Sequence, residues 1–411
     1  MNANEKPTLL LIDGHSLAFR AFYALSPDSF RAPSGQHTNA VHGFISMMLN
    51  ILQVHKPTHL AVAFDLSRSS FRTDEYPEYK GTRGETPPEF NGQTEVLTKA
   101  LAAMQIKTLT RENYEADDII ASLADQGAEA GYRVLVVSGD RDTFQLISEN
   151  TTILYPVKGV LNLANMDDQA VFDKYGVHAK QYPDLAALVG ETSDNLPGIP
   201  GVGPKTAAKW LQQYHTLEGV FAASVEIPGK VGESLREHMQ LAVRNRRLNH
   251  LLRDLSFDFE FDSLKLVGVN QAEVREYFSS LAFKSLTEKV LRSKELGNSS
   301  EAIAIAQAAS QSSKESSAST APAAIEPREL RDFKLPESSK LDAIGLTRWL
   351  KANSSTLGFA VEFAVEVDGI HPVHAGFSSE TERVHWFPSN TADFVAVLGV
   401  WLSDEQVRKA V

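Results

Sequence analysis

Nine acidic side chains recur beside short apolar runs, at a spacing that suits metal-assisted phosphate chemistry. Asp13 ends Leu9-Leu10-Leu11-Ile12, and Asp65 follows Leu60-Ala61-Val62-Ala63-Phe64. Glu115, Asp117 and Asp118 open a helix-like run from Ile119 to Ala130. Asp140 and Asp142 follow Val134-Leu135-Val136-Val137, and Glu191 and Asp194 lie between Gly190 and Gly198. In an open parallel sheet, ligands gather beyond the carboxyl ends of the strands. Carboxylates brought to one such edge repel each other unless cations bind among them. Hard oxygen ligands of this kind select Mg²⁺ or Mn²⁺. The pattern predicts a two-metal site that cleaves phosphodiesters. Taken singly, an Asp after a strand is more often a turn residue or helix cap. The recurrence at successive strand ends carries the inference.

The elements that must position these acids follow from the apolar patterning. Residues 8–12, 58–64 and 132–138 read as short buried strands, with a further one at Thr151–Val157. Helices are expected at Gly43–His55, Gln93–Met104 and Asp117–Ala130, with a short one at Thr143–Ile147. Strands alternating with helices imply a parallel α/β sheet. From about Asp184 the pattern turns helical. A Gly/Pro-rich loop, Leu196 to Thr206, precedes a helix at Ala207–Tyr214. Gly198, Gly201 and Gly203 suit a tight turn with exposed N–H groups at a helix start, a phosphate-binding geometry that Lys205 and Thr206 extend. The four-residue gap of a Walker A loop is missing.

A second constellation lies between Arg68 and Arg83. Phe71, Tyr76 and Tyr79 interleave with Arg68, Arg72, Lys80 and Arg83. Rings that stack on unpaired bases and cations that meet phosphates suit a single strand. Asp74, Glu75 and Glu78 dilute the charge.

At 411 residues, two or more domains are expected. The absence of cysteine excludes disulfides, thiol nucleophiles and zinc-thiolate sites. No run is long enough for a signal peptide or membrane span, so the chain reads as cytoplasmic, without a membrane partner. A net charge of −12 argues against a general nucleic-acid binder. The conflict eases if several acids cage cations, which reverse the local field. Residues 297–336 are Ser- and Ala-rich and read as a flexible linker. Beyond it, 337–411 restarts globular patterning, with a helix near Leu341–Lys351 and a strand at Leu357–Val367, and reads as a truncated domain.

Together these motifs resemble the 5′-nuclease (flap endonuclease) domain of bacterial DNA polymerase I over roughly residues 7–290. The markers are Leu-Ile-Asp13-Gly-His-Ser-Leu-Ala-Phe-Arg20, Ala-Phe-Asp65, Ser-Phe-Arg72, Tyr79-Lys80, Tyr-Glu115-Ala-Asp117-Asp118, Gly-Asp140-Arg-Asp142 and Ser-Asp194-Asn-Leu-Pro-Gly. The resemblance implies a PIN-like α/β catalytic domain (1–185), a helix–three-turn–helix DNA-binding subdomain (186–296), and an arch over about 68–92. It places metal ligands at Asp13, Asp65, Glu115, Asp117, Asp118, Asp140, Asp142 and Asp194. At the ninth position the family usually has Asp; Glu191 keeps the charge but reaches one methylene further. The resemblance sets Arg20, Arg72, Lys80 and Arg83 near the scissile phosphate and 5′ strand, and Tyr79 near the substrate. It also implies a K⁺ ion at the Gly198–Thr206 loop, DNA with a 5′ flap or 5′ end as partner, and a monomer near the nucleoid. The segment 337–411 resembles the start of a 3′–5′ exonuclease-like domain in which Glu362 and Ala364 replace an Asp-x-Glu pair. The expected reaction is metal-dependent 5′–3′ exonuclease and flap endonuclease hydrolysis, with two ions about 3.5–4 Å apart at the scissile phosphate. Two other readings stay open: a PIN-like ribonuclease, and a noncatalytic DNA-structure binder. His15 and His42 are expected to pack or hydrogen-bond.

Overall fold

The computed structural model describes residues 6–157 and 162–298, then the backbone of five strands between 338 and 410 together with Leu346. They fall into two compact units, divided between Thr320 and Ala321.

The first unit is built on a six-stranded sheet in the order β3-β2-β1-β4-β5-β6. β1 (Thr8–Asp13), β2 (His59–Ala63), β3 (Lys107–Leu109), β4 (Arg133–Val137) and β5 (Thr151–Pro156) run parallel; β6 (Leu163–Met166) is an antiparallel edge. Side chains alternate across a strand. Leu9, Leu11, Ala61, Ala63, Val134 and Val136 therefore fill one core with α5 (Ala116–Glu129) and α7 (Tyr182–Val189). Leu10, Ile12, Leu60, Val62, Leu135 and Val137 fill the other with α1 (Gly14–Ala24), α2 (Asn39–His55) and α4 (Gln93–Ala103). Burial on both faces explains why β1, β2 and β4 are near-continuous apolar runs. Chain order reverses at β1, which has β2 on one side and β4 on the other; ligands of open α/β sheets bind at such a switch point.

Between β2 and α4 lies α3 (Phe71–Glu75). After β6 come α6 (Asp168–Tyr175), then α7, a hairpin of β7 (Gly190–Glu191) and β8 (Leu196–Pro197), α8 (Pro204–Tyr214), α9 (Leu217–Ala222), α10 (Gly229–Leu248), α11 (Gln271–Ser280) and α12 (Lys284–Arg292). Ala207, Trp210, Leu211, Leu235 and Ala242 belong to the same core as Leu9 and Val134, so the helical part and the sheet share one interior. The expected division after 185 falls inside the continuous α7. The Thr143–Ile147 helix is instead a 3₁₀ turn, Arg141–Leu146. β3 and β6 were not expected. The first linker residues also belong to this unit: the Asn298 amide donates to the Val290 carbonyl at 2.9 Å.

The second unit carries β9 (Ser338–Leu341), β10 (Leu357–Glu366), β11 (Gly369–Ser378), β12 (Arg383–Trp386) and β13 (Lys409–Ala410), in the order β13-β10-β11-β12-β9. Glu362 and Ala364 lie on β10, whose pairing with β11 shifts register between Glu362 and Phe363. Leu341 ends a strand, and of the helix expected over Leu341–Lys351 only Leu346 is described, as helical. The rest of that helix and of the linker lies outside the described residues. Among the described residues no helix is long and apolar enough to cross a membrane.

Candidate active site

The parallel register brings the carboxyl ends of β1, β2 and β4 level: Asp13 faces Ala63, and Ile12 faces Val137. Asp13 ends β1 and caps α1, accepting from Ser16 N at 3.0 Å and from Ser138 Oγ at 3.0 Å. Asp65, two residues beyond β2, accepts from Ala116 N at 2.7 Å and so ties this edge to the start of α5. Glu115 and Asp117 arrive on that helix start. Asp140 leaves β4 and caps the 3₁₀ turn through Asp142 N at 2.9 Å. Several of these acids are thus caps and also members of one cluster.

Glu191 and Asp194 come from the β7–β8 hairpin. Gly190 has φ +81, and a Cβ there would lie 2.2 Å from Gly198 N. A Cβ on Gly198 would lie 1.9 Å from the Val189 carbonyl oxygen. Only glycine permits this approach, which presses the hairpin against α7 and aims Glu191 at the sheet edge. Carboxylate oxygens of Asp142, Glu191 and Asp194 lie within 4.8 Å of one another.

The electrostatics divide the acids into two overlapping groups. Burial, then the charges of Asp65 and Asp140, push Asp13 up to about 7. Asp117 is pushed well above the usual carboxylate range by burial and by Asp13, Asp140 and Asp65. Burial together with Glu191, Asp140 and Asp194 does the same to Asp142. Glu191 is pushed up to about 8 by burial, Asp140 and Asp194. Asp140 stands in both groups and is itself raised, first by burial and then by Asp194. Carboxylates crowded this way favour either protonation or a bound cation. Asp117 Oδ1 and Asp142 Oδ1 are buried without a hydrogen-bond donor. Buried oxygens are rarely left so, and a hard cation satisfies both them and the charge.

Asp118 does not join the cluster. It is fully buried, and the Arg72 guanidinium grips both its oxygens, at 2.7 and 2.8 Å. Leu252 N and Glu115 N donate to the same carboxylate at 3.0 and 3.2 Å. With every lone pair engaged, it has nothing to offer an ion. Arg72 is corrected with it. Its side chain is 1% exposed and also donates to the carbonyls of Leu248 and His250, so it locks α3 to the end of α10 rather than meeting a phosphate.

The other basic residues divide by place. Lys80 Nζ lies 2.8 Å from Glu115 Oε2, and Arg83 Nη2 lies 2.9 Å from Asp194 Oδ1. Burial works against the Lys80 charge, but Glu115 and Asp194 more than offset it and raise its pKa. Glu115 itself is lowered: burial opposes its charge, and Lys80 and Arg72 prevail. Tyr79 is 5% exposed, and its hydroxyl donates to Asp194 Oδ2 at 3.1 Å, so it braces the cluster from beneath. Arg20 donates to the Val157 carbonyl at 2.6 Å, just past the carboxyl end of β5 and so at the same sheet edge as the acids. Arg68 bonds Thr86 Oγ1 at 2.8 Å, the Phe71 ring lies under the Arg72 guanidinium, and the Tyr76 ring lies under Arg244. His15 fulfils its expected bonding role, accepting from Asp65 N at 3.2 Å.

The glycine loop forms as expected. Gly201 has φ +81, and Gly203 is the residue before α8, whose first turn no side chain caps. Lys205 is exposed and Thr206 half-buried on that turn. Missed by sequence reasoning were Arg141, Tyr155, Tyr175 and Tyr182, which line a cavity beside Asp140 and Glu191. No local spacing links the three tyrosines; only Arg141, between two cluster acids, carried a signal.

Two family models match in tandem: the 5′-3′ exonuclease N-terminal resolvase-like domain over residues 8–176 and the 5′-3′ exonuclease C-terminal SAM fold over 177–272. DNA polymerase I of Mycobacterium tuberculosis is 49% identical over 285 residues, 69% of this chain and 32% of that protein. The enzyme of Bacillus caldotenax is 42% identical over 286 residues, again 69% and 32%. The chain thus spans about a third of the length of these relatives, 32% in both. Among solved structures, the bacteriophage T5 D15 flap endonuclease, in a pseudo-enzyme-product complex with DNA and metal ions, gives a TM-score of 0.50 at 19% identity, covering 68% of this chain and 99% of that one. The T5 5′-exonuclease with bound zinc gives 0.50 at 19% identity, covering 70% and 99%. Both support the fold, a PIN-like parallel sheet with a helical subdomain. Over residues 8–272 the chain belongs to the 5′-3′ exonuclease family.

Proposed function

We propose that this chain hydrolyses DNA phosphodiesters near a 5′ end or at the base of a 5′ flap, using two divalent ions, Mg²⁺ or Mn²⁺. The observation that carries the reading is the pair of buried oxygens without donors, Asp117 Oδ1 and Asp142 Oδ1, inside a crowd of raised carboxylates. Asp13, Asp65, Asp117 and Asp140 would hold one ion; Asp142, Glu191 and Asp194 would hold the other. Bound there, the ions supply Lewis acidity and lower the pKa of water.

The chain's own groups do the rest. Asp65 and the Ala116 amide fix the start of α5, so that Asp117 enters the cluster at a set angle. Lys80 and Arg83 stand on Glu115 and Asp194, at the edge where a phosphate would approach, and their charges oppose the build-up of negative charge on it. Tyr79 holds Asp194 in place. The Gly198–Thr206 loop would grip the duplex through backbone N–H groups without reading bases, and its carbonyls would hold K⁺. The DNA held in the complex of the T5 D15 flap endonuclease favours this partner. A 5′-flap DNA, a matched RNA and a plain duplex, each with Mg²⁺ or EDTA, test the reading. Flap cleavage with Mg²⁺ alone is expected. Preference for RNA would make the chain a ribonuclease, and flap binding without cleavage a structure-binding module.

A further inference from the structure

A cavity of about 500 Å³ lies between Asp140, Glu191 and the first residue of α8. That volume is in the range of small-molecule sites. Its lining joins two acids, Asp140 and Glu191, to three aromatic residues, Tyr155, Tyr175 and Tyr182. The three tyrosines are held by a shared backing. The fully buried Phe144 ring has centroid distances of 5.3, 5.8 and 5.2 Å to them. Two cations attend the same rings: Arg141 faces the Tyr155 and Tyr182 hydroxyls, and Lys174 Nζ lies 5.3 Å from the Tyr155 ring and 5.4 Å from the Tyr175 ring. Tyr155 and Tyr175 are half-buried and Tyr182 is buried, and they border an open space with the exposed Arg141 guanidinium at its rim.

We propose that this cavity binds one unpaired deoxynucleotide, its base against the tyrosine wall and its phosphate between Arg141 and the acid cluster. Aromatic rings stack on any base, and a guanidinium bonds phosphate oxygens in pairs. Asp140 and Glu191 oppose a bare phosphate, so the site accepts one together with a divalent ion. The inference rests on the nuclease reading of the cluster and adds where the nucleotide beside the cut is held, and where a released 5′-mononucleotide stays bound.

The test is calorimetric binding of dAMP, deoxyadenosine and inorganic phosphate to the full chain, with Ca²⁺ or EDTA. We expect dAMP to bind at least tenfold more tightly than either fragment, and more tightly with Ca²⁺ than with EDTA. Arg141→Gln should weaken dAMP about tenfold while leaving deoxyadenosine unchanged, and Arg141→Lys should restore part of the loss. Arg141 is exposed, so these variants fold; a thermal melt checks this. Tyr175→Ala should weaken deoxyadenosine as well as dAMP. Equal binding by wild type and Arg141→Gln, or no dAMP binding with Ca²⁺, overturns the proposal. If dAMP does not bind while flap DNA is still cut, the pocket fails and the nuclease reading stands. If dAMP binds as expected and no DNA is cut, the reverse holds.

Discussion

Asp117 and Asp118 are adjacent in the chain, yet they lie in regions with opposite electrostatics. On α5 one residue turns the side chain by about 100°. Asp118 faces inward to Arg72, and its oxygens take four hydrogen bonds. Asp117 faces the sheet edge, where its neighbours are acids and one buried oxygen has no donor. In the first region the chain supplies its own cation and closes a joint between α3 and α10. In the second it supplies only partial compensation, through Lys80 and Arg83, and the remainder must come from outside. A saturated carboxylate is architecture; an unsaturated one is available for binding.

The sharpest way to break this comparison is to remove the internal cation. Arg72→Ala leaves Asp118 buried and unpaired, which costs about 3–5 kcal/mol. Arg72→Ala with Asp118→Ala should be less destabilising than Arg72→Ala alone, because no buried charge remains. Urea denaturation of the three proteins reads this. A loss for Arg72→Ala below about 1 kcal/mol, the range of an exposed pair, would remove the joint from the account.

The opposite region should respond in the opposite sense. Asp117→Asn with Asp142→Asn relieves repulsion, so in EDTA the double variant should be at least as stable as wild type. With Mg²⁺ its flap cleavage should fall by about a hundredfold or more, given the several kcal/mol that bound metal contributes, while flap binding survives. Wild type should gain about 2.7 kcal/mol at an ion concentration one hundred times Kd; the variant should gain little. Full turnover by the variant would end the metal assignment.

Acidity offers a gentler probe of the same imbalance. In EDTA, folding raises Asp13 from 3.8 to about 7 and Glu191 from 4.5 to about 8. Their folded forms bind more protons than the unfolded chain across that window. The stabilisation is complete below the unfolded values and is lost as pH rises through the folded ones. Stability in EDTA should therefore decline from about pH 4 to about pH 8, by at most about 1.4 kcal/mol per pH unit for each group. Saturating Mg²⁺ should flatten the decline. Thermal melts across that range decide it, and a flat EDTA profile would mean that the acids separate once metal is withdrawn.

The sheet was legible because β1, β2 and β4 are buried on both faces and carry unbroken apolar runs. β3 and β6 were not: Lys107–Leu109 is three residues long and half-buried, and Leu163–Met166 is a four-residue edge of which only Met166 is buried. The cluster acids were legible from their place after strands and at a helix start. What distinguishes Asp118 from Asp117 was not, because its partner Arg72 lies 46 positions away and local spacing carries no trace of that contact. Nor does local spacing show that Tyr79, expected near the substrate, donates to Asp194, 115 positions away. The tyrosine cavity stayed invisible because α6, α7 and β5 assemble it from separate parts of the chain.

The smallest effect concerns Glu191, where the chain departs from the usual Asp of the family it resembles. The hairpin that carries it is fixed by the Gly190–Gly198 approach, so its backbone has little room to follow a shortened side chain. Glu191 already reaches within 4.8 Å of the Asp142 and Asp194 oxygens. Mg²⁺ keeps water ligands readily and demands near-octahedral geometry. Glu191→Asp should then draw the carboxylate back and leave a water between it and the ion. The Mg²⁺ needed for half-maximal flap cleavage should rise a few-fold, under about 1 kcal/mol, with the maximal rate unchanged. Glu191→Gln removes the charge and should raise the requirement further, while easing the repulsion that holds Asp142 up. A Mg²⁺ titration of the three proteins orders them wild type, Asp, Gln. Superimposable curves would leave the second ion to Asp142 and Asp194 alone, and a lower requirement for Asp would show that the hairpin moves.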